Sequence, residues 1–165
     1  RNPIYADILN YVSLGVLLNI PDNNFRQLID YVKQMDKQAK PSGWTPDLLL
    51  WFMLNSRLKE QEKLKYAETL AYPRLYNGLY KVIQAPNAAA AKDALNKYLD
   101  RWYNLNSDAP WYNSHLKDNC YRGYWAWEVA AVAKIMHIDD SDLKNNQYYP
   151  YDMVHWADNE TTAKE

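Results

Sequence analysis

The 165-residue sequence holds one cysteine, four glycines and two phenylalanines, and each scarcity excludes something. A lone Cys120 cannot close an internal disulfide. No cysteine or histidine cluster stands at zinc-binding spacing, so no metal and no cofactor are expected, and a reducing cytoplasm is the expected compartment. Four glycines leave little material for the turns of an all-β domain, which favours helices. No apolar run approaches the roughly 20 residues that span a bilayer, and no signal peptide opens the chain, so no membrane association is expected. A glycine-rich phosphate loop and a glycine-flanked serine elbow are both missing. The first residues are Arg1-Asn2-Pro3 rather than methionine. One domain is expected over residues 1–165, with room for a further helical region upstream.

The sequence does contain tyrosine and tryptophan in quantity, 15 and 7 respectively. Both carry a polar handle on an aromatic body and suit positions with one wet or hydrogen-bonded end. The net charge of −1 conceals a division. Residues 1–103 carry 14 Lys and Arg against 10 Asp and Glu, and residues 104–165 carry 5 against 10, giving balances of +4 and −5. An acidic last third is either a solvated face or a surface that attracts a basic partner. Nucleic-acid binding requires aromatics among basic residues, so no nucleic-acid partner is expected.

Apolar spacing predicts an all-α fold, a compact multi-helix domain. Helices are expected over Tyr5–Leu18, Asn23–Lys37 with Asp22 as cap, and Asp47–Leu58 with Thr45-Pro46 as the start. Lys40-Pro41-Ser42-Gly43 reads as a loop, and Lys59–Leu70 as charged and weakly periodic. Tyr72–Gln84 and Ala88–Tyr103, the latter capped by Asn87, follow as amphipathic helices. The most apolar and central helix is placed at about 121–136. Asp140 caps a one-turn segment, and Tyr148–Trp156 closes the fold. Asn19-Ile20-Pro21-Asp22 and His137-Ile138-Asp139-Asp140 share a pattern, a polar residue and an isoleucine before an aspartate cap, which suggests one helix-exit solution used twice.

A helix over Tyr121–Met136 puts Glu128 inside the apolar arc with Tyr124 and Trp125, and Ala126, Ala130 and Ala133 on the opposite side. A core-facing carboxylate has to be paired, hydrogen-bonded or protonated. It can serve as a catalytic acid. The reading adopted here is a structural anchor, formed by Glu128, Tyr124 and Trp125, that accepts bonds from tyrosine hydroxyls or from an arginine such as Arg101 or Arg74. His137, Asp139 and Asp140 look metal-like, but each has a local role at a helix end, and zinc or iron ligands usually converge from separate elements. His115 lies five residues before Cys120, a spacing that does not make a nucleophilic pair. No catalytic residue is assigned.

Gly123-Tyr124-Trp125 with Glu128, the turn Ile138-Asp139-Asp140-Ser141, and Tyr148-Tyr149-Pro150-Tyr151-Asp152 together resemble the C-terminal domain of the PoNi family. These are bacterial immunity proteins paired with PoNe-type DNase toxins. Tyr98-Leu99, Trp102-Tyr103, Trp111 and, upstream, Leu14-Gly15-Val16-Leu17 extend the likeness over roughly Leu14 to Trp156. The resemblance implies an all-helical cytoplasmic protein that binds and neutralises a DNA-cleaving toxin delivered by neighbouring cells, for example by type VI secretion, and that catalyses nothing. The near-neutral charge departs from a DNA-mimicking inhibitor, so any mimicry rests on the acidic last third. The toxin contacts then expected are Asp139, Asp140, Asp142, Tyr148, Tyr149, Tyr151 and Asp152. In competition, Tyr149 and Tyr151 pack the last turn and Asp152 caps the final helix. Two further readings stay open: a small hydrolase- or deaminase-like enzyme using Glu128 with His137 or His115, and a regulatory interaction module unrelated to toxins. Nothing in the sequence sets an oligomeric state.

Overall fold

A computed structural model describes residues 2–38, 43–117 and 121–156. Cys120 and most of the expected loop at 40–43 lie outside the described residues. Among these residues seven α-helices run in order: α1 Pro3–Leu17, α2 Asp22–Lys37, α3 Leu48–Asn55, α4 Pro73–Ile83, α5 Ala88–Leu105, α6 Trp127–Ile135 and α7 Tyr151–His155. Single 3₁₀ turns stand at Glu60–Glu62, Ser114–Leu116 and Ser141–Leu143. Among the described residues there is no strand, only an isolated bridge between Asp47 and Thr69. The fold is all-α.

Several helix starts differ from the sequence reading in their caps. Asn87 does cap α5, accepting the Ala90 N–H at 2.9 Å. Asp22, however, falls in the first turn of α2 after Pro21 and makes no cap bond; its carboxylate pairs with Arg57 instead. The cap of α3 is Asp47, which accepts the Leu50 N–H at 2.8 Å, and not Thr45. Asp140 makes no cap bond to the turn that follows it, because its oxygens are engaged elsewhere.

The largest correction concerns the central helix. It begins at Trp127, and Tyr121–Ala126 are not helical. Gly123 sits at φ 84°, where a Cβ would lie 2.5 Å from Trp125 Nε1, and the Ala126 N–H donates to the Tyr148 carbonyl at 2.8 Å. A left-handed residue and a backbone bond to a distant segment hold this stretch out of the helix. From Glu128 to Ala133 every residue of α6 is buried. The helix packs along α1, α4 packs along α5, and one apolar cluster takes side chains from all seven helices.

The repeated exit pattern has a physical basis. Asn19 (φ 47°) and His137 (φ 52°) are both left-handed. Their N–H groups bond back to Val16 and Lys134, while Ile20 and Ile138 bond to Gly15 and Ala133. Both are Schellman closures with isoleucine in the position that folds back on the helix. The packed pair α1 and α6 thus end in the same way.

The aromatic composition is explained by where its handles go. Asp47 accepts from the Tyr5 hydroxyl at 3.1 Å and the Ala71 N–H at 2.7 Å in addition to its cap bond. Asp36 accepts from Trp44 Nε1, Trp51 Nε1 and the Tyr66 hydroxyl. Glu128 accepts from Trp102, and Asp140 from Tyr149. Phenylalanine could not fill these positions, since each carboxylate needs the donor. Burial raises the Asp47 pKa above the usual aspartate value even though the donors around it, Ala71, Leu50, Tyr5 and Leu49, act in the opposite direction.

Candidate functional site

The two ends of α6 carry the features that the sequence reading singled out. At the N-terminal end, the last turns of α5 meet the non-helical segment before α6 in an aromatic wall. Trp102 stacks on Trp111 with centroids 5.3 Å apart, and Tyr103 stacks on Tyr148 at 5.4 Å with planes only 3° apart. Tyr124 packs between Tyr103 and Trp111, 5.0 and 5.6 Å away. The Tyr103 hydroxyl donates to Asn113 Oδ1 at 2.8 Å, and the Tyr124 hydroxyl accepts the His115 N–H at 3.0 Å and pairs with His115 Nδ1 at 2.6 Å. Burial raises the Tyr124 pKa, but the bonds from Ser114, His115 and Tyr103 outweigh it and bring the phenol below its usual value.

Glu128 lies beneath this wall, 6 % exposed in the first turn of α6, and accepts the Trp102 indole N–H at 2.6 Å. An indole N–H, from Trp102, is thus one of the groups that hold Glu128, a donor type the sequence did not suggest. Arg74 is paired with Asp108 at 3.0 Å, and Arg101 is exposed. Of the other two expected anchors, Tyr124 is half-buried, while Trp125 is 44 % exposed and sits at the surface. Glu128 borders a cavity of about 460 Å³ whose lining includes Trp102, Trp111, Tyr124, Trp125 and Trp127. Neither His115 nor His137 is among the residues that line it. His137 stands at the opposite end of α6, and His115 is held by Tyr124.

At the C-terminal end of α6, Lys92 of α5 reaches Asp139 at 2.9 Å and Asp142 at 3.2 Å, and Asn96 donates to Asp142 at 3.1 Å. Bonds from Ser141 first, and the Lys92 ammonium second, hold Asp139 well below the usual carboxylate range. Burial pushes Asp142 up, but Lys92 and Asn96 prevail and its pKa is also lowered. Asp140 points the other way. It is 5 % exposed, accepts the Tyr149 hydroxyl at 2.7 Å and lies 2.9 Å from His155 Nε2. Tyr149 is 2 % exposed, and burial followed by the bond to Asp140 raises its phenol well above the usual value. Asp140 and Tyr149 therefore form an internal pair and are withdrawn as surface contacts. Their alternation with exposed neighbours follows from the turn, which sends Asp139 outward and Asp140 inward.

The remaining expected contacts fall in different places. Tyr148 belongs to the aromatic wall. Tyr151 and exposed Asp152 line a groove of about 430 Å³ together with Trp125, Trp127, Lys144 and Met153. The sequence reading missed Lys92, Trp102, Trp127 and Asn96. Trp102 had a signal, since a tryptophan on an apolar stripe needs an acceptor. Lys92 and Asn96 had none, because they meet the turn only through the packing of α5 beside it.

Comparison with known proteins bears on this arrangement directly. The family model described as PoNe immunity proteins (PoNi), C-terminal, matches residues 45–153, about two thirds of the chain. The chain belongs to this family. No curated protein and no solved structure matches it. The match to the PoNe immunity proteins begins at residue 45, so Leu14-Gly15-Val16-Leu17 lies outside it. In the PoNi fold described here α1 and α2 precede the matched region, yet α1 covers α6 and contributes fully buried Val12 and Leu17 to the core. Both ends of α6, the aromatic wall and α7 up to Met153 lie within the matched residues.

Proposed function

We propose that this PoNi protein binds a DNA-cleaving toxin and neutralises it by occupying its surface, without catalysing a reaction, and does so in the cytoplasm of the cell it protects. The observation that carries the reading is the family match over residues 45–153. The geometry agrees with it in two respects. Glu128 accepts from the Trp102 indole, and neither His115 nor His137 lines the cavity it borders, which supports a binding role over a hydrolytic one. Carboxylates at 139, 142 and 152 are exposed, the last in a groove shared with Tyr151, and an acidic surface of this kind suits the basic cleft of a DNA-binding enzyme. The contacts retained for the toxin are Asp139, Asp142, Tyr148, Tyr151 and Asp152. Residues 1–165 act as one unit in this reading, because α1 supplies core to the matched region.

The test is co-expression with the nuclease-like protein encoded beside this chain. Growth should be restored, the two proteins should co-purify, and DNA cleavage by the toxin should stop at a stoichiometric ratio. Undiminished toxicity with a verified cognate toxin contradicts the proposal.

A further inference from the structure

The cavity at the N-terminal end of α6 is lined in a way that packing alone does not require. Its rings come from four separate stretches: Tyr76 from α4, Trp102 from α5, Trp111 from the following loop, and Tyr124, Trp125 and Trp127 around the start of α6. Among the described residues, three carboxylates border it, Glu128, Asp7 and Asp108, against a single cation, Arg122. Asp108 already pairs with Arg74, while Asp7 has no ion pair among the described residues. Asp7, Asp108, Arg122 and Trp125 are exposed, so the cavity opens at the surface, with buried Glu128 behind them. A volume of about 460 Å³ lies in the range of sites that enclose an organic group.

Aromatic rings and carboxylates around one space attract the same kind of guest. The ring faces draw a cation through their quadrupoles, and the carboxylates draw it through charge, more strongly where water is excluded. Among protein cations the guanidinium suits this best, because it is planar, stacks on rings and is weakly hydrated. Trp127 adds a second observation. Its Nε1 is buried with no hydrogen-bond partner among the described residues, and the residue borders this cavity, so a small turn of the ring would bring it to a carbonyl of an entering chain.

We propose that this cavity receives an arginine side chain of the toxin, with the guanidinium against the tryptophan rings and Glu128 and a neighbouring backbone carbonyl on Trp127 Nε1. The inference rests on the toxin-binding reading and gives it an anchor. A DNA-cleaving protein presents arginines to phosphates, so capture of one of them removes a group the toxin needs for its substrate.

The experiment titrates the protein with N-acetyl-arginine amide and, as control, N-acetyl-citrulline amide, which has the same shape without the charge. The indole N–H signals of the seven tryptophans are followed by NMR. Saturable shifts are expected at Trp102, Trp111, Trp125 and Trp127 and not at Trp44 or Trp51, with no saturable response to citrulline. Glu128→Gln keeps an acceptor for Trp102 and should weaken the arginine response by at least about tenfold. Should that variant fold poorly, Trp125→Ala, at a half-exposed side chain, should do the same. Both variants should speed toxin dissociation by a similar factor. Equal response to the two probes, or no shift with arginine, overturns the cavity assignment. A wild-type protein that takes the arginine probe but not the toxin contradicts the toxin-binding reading alone. One that binds toxin identically with and without the substitutions contradicts the cavity alone.

Discussion

The two ends of α6 are roughly 14 Å apart, nine residues at the usual helical rise, and they hold their carboxylates in opposite ways. At the N-terminal end Glu128 is enclosed by tryptophan and faces a cavity. At the C-terminal end Asp139 and Asp142 are in solvent and already share Lys92. Exposed charge acts over distance, is screened by salt and adds little to a docked complex, whereas enclosed charge acts only on contact and more strongly. The difference fits separate tasks in the proposed complex: the turn would steer a basic partner toward the protein, and the aromatic end would hold it. Lys92 limits the first task, since it offsets part of the charge at the turn, and Asp140 contributes nothing to it because it faces His155 and Tyr149.

The comparison breaks most severely at Trp102. It stacks on Trp111, supports Glu128 and is 3 % exposed, so Trp102→Ala should cost about 3–5 kcal/mol in a denaturant titration. A loss below about 1 kcal/mol would mean that the aromatic end is not an organised unit. Tyr149→Phe at the other end removes one donor from a buried carboxylate that keeps His155. A loss of about 1.5–3 kcal/mol is expected there, with toxin affinity unchanged, because the pair is internal. Substituting both Asp139→Asn and Asp142→Asn should leave the melting midpoint almost where it is and should act on association instead.

The smallest effect is a pH dependence. Asp139 is held below the usual range, so its folded form binds fewer protons than the unfolded chain. Its contribution is complete above the ordinary aspartate value and is lost as pH falls below it. Asp47 has the opposite sign: burial raises its pKa, so its contribution declines as pH rises just above that value. Melting midpoints measured on either side of about pH 4 should therefore be less sensitive to acidification in Asp139→Asn than in the wild type.

Much of this was legible in the sequence, and the parts that were not have a common cause. The all-α class, the Asn87 cap and the two matching helix exits follow from local spacing and local hydrogen bonds. The early start assigned to α6 failed because Ala126 donates to Tyr148, twenty-two residues away, and local periodicity carries no trace of that bond. The same holds for the candidate contacts. Adjacent aspartates 139 and 140 are chemically alike in the sequence, and only the packing of Tyr149 and His155 sends one inward. Lys92, 47 residues before Asp139, became relevant only once α5 was placed beside the turn.

The division of labour along α6 is tested most directly by association and dissociation rates with the toxin over a range of salt concentrations, for wild type, the Asp139→Asn, Asp142→Asn double variant, and Glu128→Gln. The account predicts that the double variant associates more slowly at low salt, with a shallower salt dependence and an unchanged dissociation rate. It predicts that Glu128→Gln associates normally and dissociates at least about tenfold faster. If both variants alter the same rate constant, or Glu128→Gln alters neither, the two ends of α6 do not do different work.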